Sequence, residues 1–139
     1  MHYQIVAIEK PTVADRDAVL AVLKAYNESR AGPSDYRPLA LLLRDAEGET
    51  IGGLWGRSMY DWLYVELLAV PEPLRLKGVG SQLMRRAEAV AVERGCVGVW
   101  VDTYGFQARG FYEKLDYETF GTIDDHPRGS QRFFFRKRL

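Results

Sequence analysis

Residues 70–84 read VPEPLRLKGVGSQLM and separate two different patterns of the chain. Pro71 and Pro73 end the strand-like run that precedes them, because proline cannot continue a central strand. From Gly78 onward the apolar residues recur at helical spacing, namely at Val79, Leu83, Ala87, Val90 and Ala91. The stretch therefore predicts a strand, a glycine-bearing loop and the N-terminus of a helix in succession.

A loop of this kind suits an anionic phosphate. The first N–H groups of a helix lack intrahelical partners, and the helix dipole adds partial positive charge there. Gly78 and Gly80 have no Cβ, so a pyrophosphate can approach the backbone, and Arg75 and Lys77 add cationic donors.

Three kinds of phosphate loop compete for this stretch. The Walker A pattern GxxxxGK[ST] is absent. The dinucleotide fingerprint is disfavoured, because its third glycine is missing and the preceding strands are predicted to be antiparallel rather than to open a βαβ unit. The third is the RxxGxG loop of coenzyme A-dependent acyltransferases, which Arg75, Gly78 and Gly80 match fully.

Periodicity predicts seven strands and three helices around this loop. The strands are predicted at residues 3–9, 39–44, 50–59, 62–70, 97–103, 117–123 and 131–137. The helices are predicted from a cap at Thr12 to about Glu28, from Gly78 to a cap at Gly95, and over 107–115. The middle strands read as an antiparallel meander. The prediction is therefore an α+β, mixed-sheet fold in a single domain, 1–139.

Composition excludes several classes of protein. Of the 139 residues, 47% are hydrophobic and 27% charged, which is typical of a soluble globular domain. Nineteen basic and 19 acidic residues give zero net charge, which disfavours a nucleic-acid partner. We expect a cytoplasmic protein that is not in a membrane. The reasons are that Cys96 is the single cysteine, that no apolar run is long enough to span a membrane, and that no signal peptide is evident. No metal-ligand spacing occurs, so no metal is expected.

Two segments together resemble a known family. Residues 70–84 resemble motif A of the GNAT acetyltransferases, and residues 108–117, ARGFYEKLDY, resemble their later AxxxY(E/K)KLG(F/Y) motif. The separation of the two motifs and the order of elements also fit over nearly the whole chain. Residues 102–108 and 124–129 look like those of a small bacterial subgroup of the family. Gly105 replaces an asparagine found in many members, and Asp116 replaces a glycine.

The resemblance implies a central, mostly antiparallel sheet flanked by helices, and direct transfer of an acetyl group from acetyl-CoA to a primary amine of a small molecule or peptide. Main-chain N–H groups around the end of a strand would stabilise the developing oxyanion. The implied cofactor-binding residues are Leu68, Ala69, Val70, Arg75, Leu76, Lys77, Gly78, Val79, Gly80 and Ser81, with Gln107 in place of the missing asparagine amide. Because dimers are common in such folds, a homodimer is also an expectation.

Two residues are the candidates for proton transfer. Tyr112 is the candidate general acid for the leaving thiolate, although an aromatic pair with Phe111 would explain it equally well. Glu66 is the candidate general base. Strand alternation places it on the face of Tyr64 and Leu68, and it is expected to be partly buried. A structural ion pair is the alternative for Glu66, and the base could instead be Tyr64, Asp125, His126 or a chain of waters.

No motif in the sequence identifies the acceptor amine. The loop Asp124–Pro127 is expected either to line the acceptor pocket or to be a polar turn. Residues 1–70 carry a net charge of −3 and residues 71–139 a net charge of +3, so we expect the acidic excess to attract a cationic amine. A noncatalytic acyl-CoA sensor is the alternative function. A toxin that acetylates aminoacyl-tRNA would need a basic face for the RNA, and the zero net charge of the chain disfavours one.

Overall fold

The computed structural model describes residues 1–107 and 109–139. Within it the chain forms two compact units, Met1–Ser34 and Asp35–Leu139. The single domain over 1–139 stays a prediction beside these two units.

The first unit consists mainly of helix α1, Val13–Ala31. Thr12 caps it through a capping box: its hydroxyl accepts from the Asp15 N–H at 3.3 Å, and the Asp15 carboxylate accepts from the Thr12 N–H at 2.8 Å. Gly32 ends the helix with a φ of +77°. The predicted start at Thr12 is confirmed, and the helix runs three residues beyond the predicted end.

The predicted strand at residues 3–9 is wrong. These residues form no regular secondary structure. Side chains that favour strands are not sufficient, because a strand also needs a neighbour to complete its hydrogen bonds. None of the described strands pairs with this segment.

Over its described residues, the second unit is a six-stranded sheet with two helices and one short 3₁₀ turn. The strands are β1 Arg37–Arg44, β2 Thr50–Met59, β3 Trp62–Ala69, β4 Gly98–Tyr104, β5 Glu118–Asp124 and β6 Gln131–Arg138, in the order β1-β2-β3-β4-β6-β5. The helices are α2 Val79–Glu93 and α3 Arg109–Lys114, and the 3₁₀ turn spans Glu72–Leu74. The β1-β2-β3 meander and the mixed, mostly antiparallel sheet are confirmed.

The exception to antiparallel pairing is β3 with β4, which are parallel and are joined through α2. The loop before α2 therefore does open a βαβ unit. The dinucleotide fingerprint was disfavoured partly because antiparallel strands were predicted here, and that argument is wrong. The missing third glycine still argues against the fingerprint. The parallel register covers only Trp62–Val65 against Gly98–Val101. Beyond it β3 continues to Ala69 and β4 to Tyr104, so the two strands end without pairing to each other.

One face of the sheet carries the core. Helix α2 buries Leu83, Met84, Ala87 and Ala91, and the sheet contributes buried residues such as Leu63, Val65, Val101 and Phe135. The predicted apolar face of α2 is thus confirmed. Its end is also confirmed, since Gly95 has a φ of +76° and the Cys96 N–H donates to the Ala91 carbonyl at 2.9 Å.

Candidate active site

A cleft of about 1220 Å³ lies where β3 and β4 separate, and we call it the β3–β4 cleft. The end of β3, the N-terminus of α2, the end of β4 and helix α3 all contribute to its lining. The predicted site residues that line it are Glu66, Leu68, Ala69, Val70, Arg75, Leu76, Gly78, Val79, Gly80, Ser81, Gln107 and Tyr112. Lys77 is not among the lining residues, and its side chain is exposed.

The loop at the N-terminus of α2 leaves helix donors available. Gly78 is the N-cap residue, with a φ of +76°, and no side chain caps the helix. A Cβ at Gly78 would meet nothing within 4 Å, so its left-handed backbone is what favours glycine there. A Cβ at Gly80 would lie 3.2 Å from the Phe111 ring, so glycine at this position lets α3 pack closely on α2.

Arg75 holds the loop to the end of β3. Its Nε donates to the Val70 carbonyl at 3.0 Å. The guanidinium therefore lies at the point where the chain leaves the strand, beside the predicted phosphate-binding N–H groups. Leu76, the next residue, has a φ of +64° although it is not glycine. Such a backbone is rare for a bulky residue, and residues of this kind cluster at active sites and ligand-binding loops.

Tyr112 is buried at the wall of the β3–β4 cleft. Its ring stacks on Phe135 with centroids 5.6 Å apart and meets Phe111 edge-on at 5.0 Å. Burial, with a smaller contribution from the charge of Asp102, raises the pKa of Tyr112 to about 12. The phenol therefore keeps its proton at neutral pH and can act as a hydrogen-bond or proton donor.

Glu66 differs from its expected environment. Its side chain is 43% exposed and pairs with Arg57, whose Nη1 lies 3.3 Å from Oε2. The expectation of partial burial is wrong, because the Glu66 side chain is exposed. The ion pair that was the alternative explanation is present.

A β-bulge explains the arrangement around Glu66. The register between β2 and β3 shifts there, and Glu66 is the extra residue. After the bulge Leu68 pairs with the buried Leu54 and so lies on the face that α2 covers, whereas Tyr64 lies on the opposite face. The predicted alternation that placed Tyr64, Glu66 and Leu68 on one face is therefore wrong.

A polar network on β4 and β6 was missed from the sequence. Asp102 accepts a hydrogen bond from the Tyr64 hydroxyl at 3.1 Å and forms an ion pair with Arg132. Arg132 Nη1 lies 3.3 Å from His126 Nε2. Burial and then the charge of Asp102 raise the pKa of Tyr64 to about 12, so Tyr64 is a poor base at neutral pH. The parallel register of β3 with β4 brings Tyr64 to Asp102, and the antiparallel register of β4 with β6 brings Arg132 there, so no local pattern predicts the network.

Gln107 uses its side chain within its own turn. Its Oε1 accepts from the Thr103 hydroxyl at 2.9 Å and from the Tyr104 N–H at 2.7 Å. The role of its amide toward a cofactor stays a prediction. Ala108, the first residue of the second motif, lies outside the described residues.

The Asp124–Pro127 loop lines a separate groove of about 690 Å³ through Asp124 and Asp125. Both carboxylates already have local donors: Gln131 Nε2 at 2.7 Å from Asp124 and the Gly129 N–H at 3.2 Å from Asp125. These bonds favour the polar-turn interpretation of the loop. An acceptor role for it stays a prediction.

Metal-ligand clusters and membrane spans are both absent from residues 1–107 and 109–139. These residues contain no group of three or more His, Cys, Asp or Glu side chains placed to hold a metal ion. None of the described helices is both long enough and apolar enough to cross a membrane.

The cleft, its uncapped helix and the two motifs agree with comparisons to known proteins. The profile of the Acetyltransferase (GNAT) family matches residues 8–117. The chain belongs to this GNAT family. It is 37% identical over 130 residues to Acetyltransferase Atu2258 of Agrobacterium fabrum (strain C58), covering 91% of this chain and 95% of that protein. Over 93 residues it is 44% identical to Blasticidin-S acetyltransferase of Streptomyces morookaense, covering 66% and 68%.

Solved structures of GNAT proteins share the fold. A crystal structure from Agrobacterium tumefaciens has a TM-score of 0.93 at 33% identity and covers 99% of this chain and 100% of its own. An acetyltransferase from Bacillus cereus ATCC 14579 has a TM-score of 0.84 at 33% identity, covering 96% and 98%. A Bacillus anthracis protein solved in complex with acetyl coenzyme A has a TM-score of 0.62 at 22% identity, covering 82% and 68%, and this likeness shows the fold alone.

The GNAT resemblance and the fold it implies are thereby confirmed. Family membership and the named acetyltransferase relatives make the protein an acyl-CoA-dependent N-acetyltransferase.

Proposed function

We propose that the protein transfers an acetyl group from acetyl-CoA to a primary amine of a small molecule or peptide, by direct attack of the amine on the thioester. The observation that carries the proposal is the β3–β4 cleft, which joins the Arg75–Ser81 loop, the free end of β3 and the Tyr112 phenol in one space. Acetyl-CoA supplies an acetyl group that its thioester has already activated.

The residues at the N-terminus of α2 fit a diphosphate. The helix has no side-chain cap, so its first N–H groups are free to donate, and the dipole favours an anion there. The left-handed Gly78 turns the backbone into the helix without placing a side chain in front of these donors. Lys77, which does not line the cleft, would contribute only longer-range attraction.

The free end of β3 would orient the acyl group. Beyond Val65 the edge of β3 that faces β4 has no partner on that strand, so N–H groups near residues 68–70 are available to a ligand. A main-chain N–H aimed at the acyl oxygen would stabilise the negative charge that develops on it.

Proton transfer completes the reaction. The amine nitrogen forms a bond to the acyl carbon while the carbon–sulfur bond breaks, so the amine loses a proton and the thiolate gains one. Tyr112 would donate to the sulfur, since its high pKa keeps it protonated. Glu66, which pairs with Arg57 and lines the β3–β4 cleft, would take the amine proton directly or through water.

The acceptor is proposed to be a cationic small molecule or peptide. The Streptomyces morookaense relative is named for a small-molecule substrate, blasticidin S. The excess of acidic residues in residues 1–70 would favour an ammonium group over an anionic acceptor.

A thermal-shift titration followed by an amine screen tests the proposal. Acetyl-CoA at about 100 times its Kd should stabilise the protein by roughly 2.7 kcal/mol. Free thiol should then appear only with primary amines in the panel, and mass spectrometry should find one acetyl group on the amine. Stabilisation by acetyl-CoA without thiol release for any amine would contradict the proposal and favour the acyl-CoA sensor.

A further inference from the structure

The ring of Tyr64 is held by its two cross-strand neighbours. Tyr64 pairs with Arg57 of β2 on one side and with Trp100 of β4 on the other. The Trp100 ring stacks on it with centroids 3.9 Å apart, and the Arg57 guanidinium lies 4.8 Å from the centre of the Tyr64 ring. Stacking and cation–π contacts of this kind fix the plane of a ring. Tyr64 is therefore a rigid side chain among the residues that line the β3–β4 cleft.

Asp102 sets the direction of the Tyr64 hydroxyl. The hydroxyl donates to Oδ1 of Asp102 at 3.1 Å, and the other carboxylate oxygen, Oδ2, pairs with Arg132. The Asp102 side chain is only 6% exposed, so these two partners replace the water that a free carboxylate would bind. A phenol has a single O–H. Because that proton is committed to Asp102, the Tyr64 oxygen offers a ligand only its lone pairs.

Glu66 provides a second hydrogen-bond acceptor near Tyr64. The Arg57 guanidinium that contacts the Tyr64 ring also pairs with Glu66, with Nη1 3.3 Å from Oε2. A carboxylate has about four lone-pair positions, so the pair with Arg57 leaves others for a ligand. Glu66 also lines the β3–β4 cleft. The cleft thus contains two acceptors that share one guanidinium neighbour.

We propose that Tyr64 selects the acceptor by accepting a hydrogen bond from its amine, and that Asp102 is the positioning residue that fixes this polarity. The inference rests on the acetyl transfer proposed above, and all of its residues lie in the second unit. A neutral amine that attacks a thioester directs its lone pair at the acyl carbon, so its N–H groups are left for the protein. A primary amine has two N–H groups, one for Tyr64 and one for Glu66. A secondary amine has one, and the site therefore favours primary amines.

Tyr64 and Tyr112 serve different parts of the reaction. Tyr112 donates to the leaving sulfur, an interaction that gains strength only as the carbon–sulfur bond breaks. The bond from the amine to Tyr64 is present before and during the attack. A contact made equally in the bound complex and the transition state lowers KM and leaves kcat unchanged. The two phenols of this cleft therefore have different kinetic signatures.

Tyr64→Phe tests the hydrogen bond, because it removes the oxygen and keeps the ring between Arg57 and Trp100. The KM for a primary amine, and the Kd of that amine for the enzyme–CoA complex, should each rise about tenfold. The kcat and the acetyl-CoA affinity should stay within about twofold of the parent. Tyr117→Phe is the matched control, since its hydroxyl also donates to a carboxylate, Glu88 at 2.8 Å, but Tyr117 does not line the cleft. An unchanged KM in Tyr64→Phe, or an equal rise in both variants, overturns the inference.

Asp102→Asn tests the positioning role. The variant keeps the shape of the side chain, but its amide can donate as well as accept, so the Tyr64 O–H is no longer tied to one direction. The KM for the amine should rise in Asp102→Asn and should not rise further when Asp102→Asn is added to Tyr64→Phe, because Asp102 acts through Tyr64. An equal rise in both backgrounds, or in neither, overturns the positioning role.

Primary amines compared with their N-methyl derivatives test the selectivity itself. The parent should prefer the primary amine about tenfold in kcat/KM, and Tyr64→Phe should bring the two within about threefold, because one N–H has lost its acceptor. A preference that Tyr64→Phe leaves intact overturns the inference while acetyl transfer stands. A parent that acetylates none of the amines refutes the proposed function and the inference with it, so the two failures are distinguishable.

Discussion

Replacing Tyr112 by phenylalanine removes one oxygen atom from the β3–β4 cleft and leaves the ring in place. The ring makes the packing contacts, stacking on Phe135 and meeting Phe111 edge-on, so the variant should fold as the parent does. The loop at residues 75–81, proposed to bind the diphosphate, is untouched. We therefore expect unchanged acetyl-CoA affinity and a lower rate of acetyl transfer.

The size of the loss follows from the role. A positioned acid contributes about 10² to 10⁴ in rate, which corresponds to roughly 3–5 kcal/mol of transition-state stabilisation. Because burial raises the pKa of Tyr112 to about 12, the phenol is protonated over the whole neutral range. The parent should thus lose no activity through Tyr112 ionisation below about pH 11.

Single-turnover acetylation measures the rate of acetyl transfer, and isothermal titration with acetyl-CoA measures its affinity. Tyr117→Phe is the matched control: it removes another buried phenol, whose hydroxyl donates to Glu88 at 2.8 Å, with its ring 6.1 Å from that of Tyr112. The control should lose about 1.5–3 kcal/mol of stability, because the lost hydrogen bond is to a carboxylate, and should retain its rate. A Tyr112→Phe variant within threefold of the parent rate would refute the assignment, and equal losses in both variants would attribute the effect to packing.

Three further predictions concern residues around the cleft. Asp116 has a φ of +68° where the family usually has glycine. Asp116→Gly should therefore raise the free energy of unfolding by about 0.5–1 kcal/mol, measured by urea denaturation. An unchanged or lower free energy of unfolding would show that this backbone is not strained. Glu66→Gln should slow acetylation at least about tenfold and alter the pH–rate profile. Its melting temperature should stay within a few degrees of the parent, because the ion pair with Arg57 is exposed. An unchanged pH–rate profile would show that another group is the general base. The free energy of unfolding should fall between pH 10 and 12. A phenol whose pKa is raised on folding stabilises the protein below the unfolded pKa of 10 and loses this effect as the pH approaches 12. Tyr112→Phe should make this fall shallower in thermal melts, and an identical fall in both proteins would contradict the raised pKa.

The sequence predicted those elements whose signals are local. Helix α2 follows from the recurrence of Leu83, Ala87 and Ala91, its end follows from Gly95, and the start of α1 follows from the Thr12 capping box. Each of these depends on residues a few positions apart. The glycine-bearing loop before α2 belongs to the same class, because its glycines and the helix start are contiguous, whereas its phosphate binding stays a prediction.

Features that depend on distant strands could not be predicted. The parallel pairing of β3 with β4 joins residues more than 30 positions apart, and it creates both the cleft and the Tyr64–Asp102 contact. The bulge at Glu66 reverses the alternation of β3, and its cause lies in the register with β2. Residues 3–9 have strand-like side chains, but a strand exists only where a partner strand is present.

Amine-dependent release of free thiol from acetyl-CoA tests the proposed reaction most directly. The purified protein is incubated with acetyl-CoA and each member of a primary-amine panel, with an amine-free reaction and the Tyr112→Phe variant beside it. We expect at least one cationic amine to give thiol release well above the amine-free rate, an equal amount of N-acetylated product, and a loss of about 100-fold in the variant. Thiol release that is the same with and without every amine, in a protein that binds acetyl-CoA, would contradict acetyl transfer to an amine.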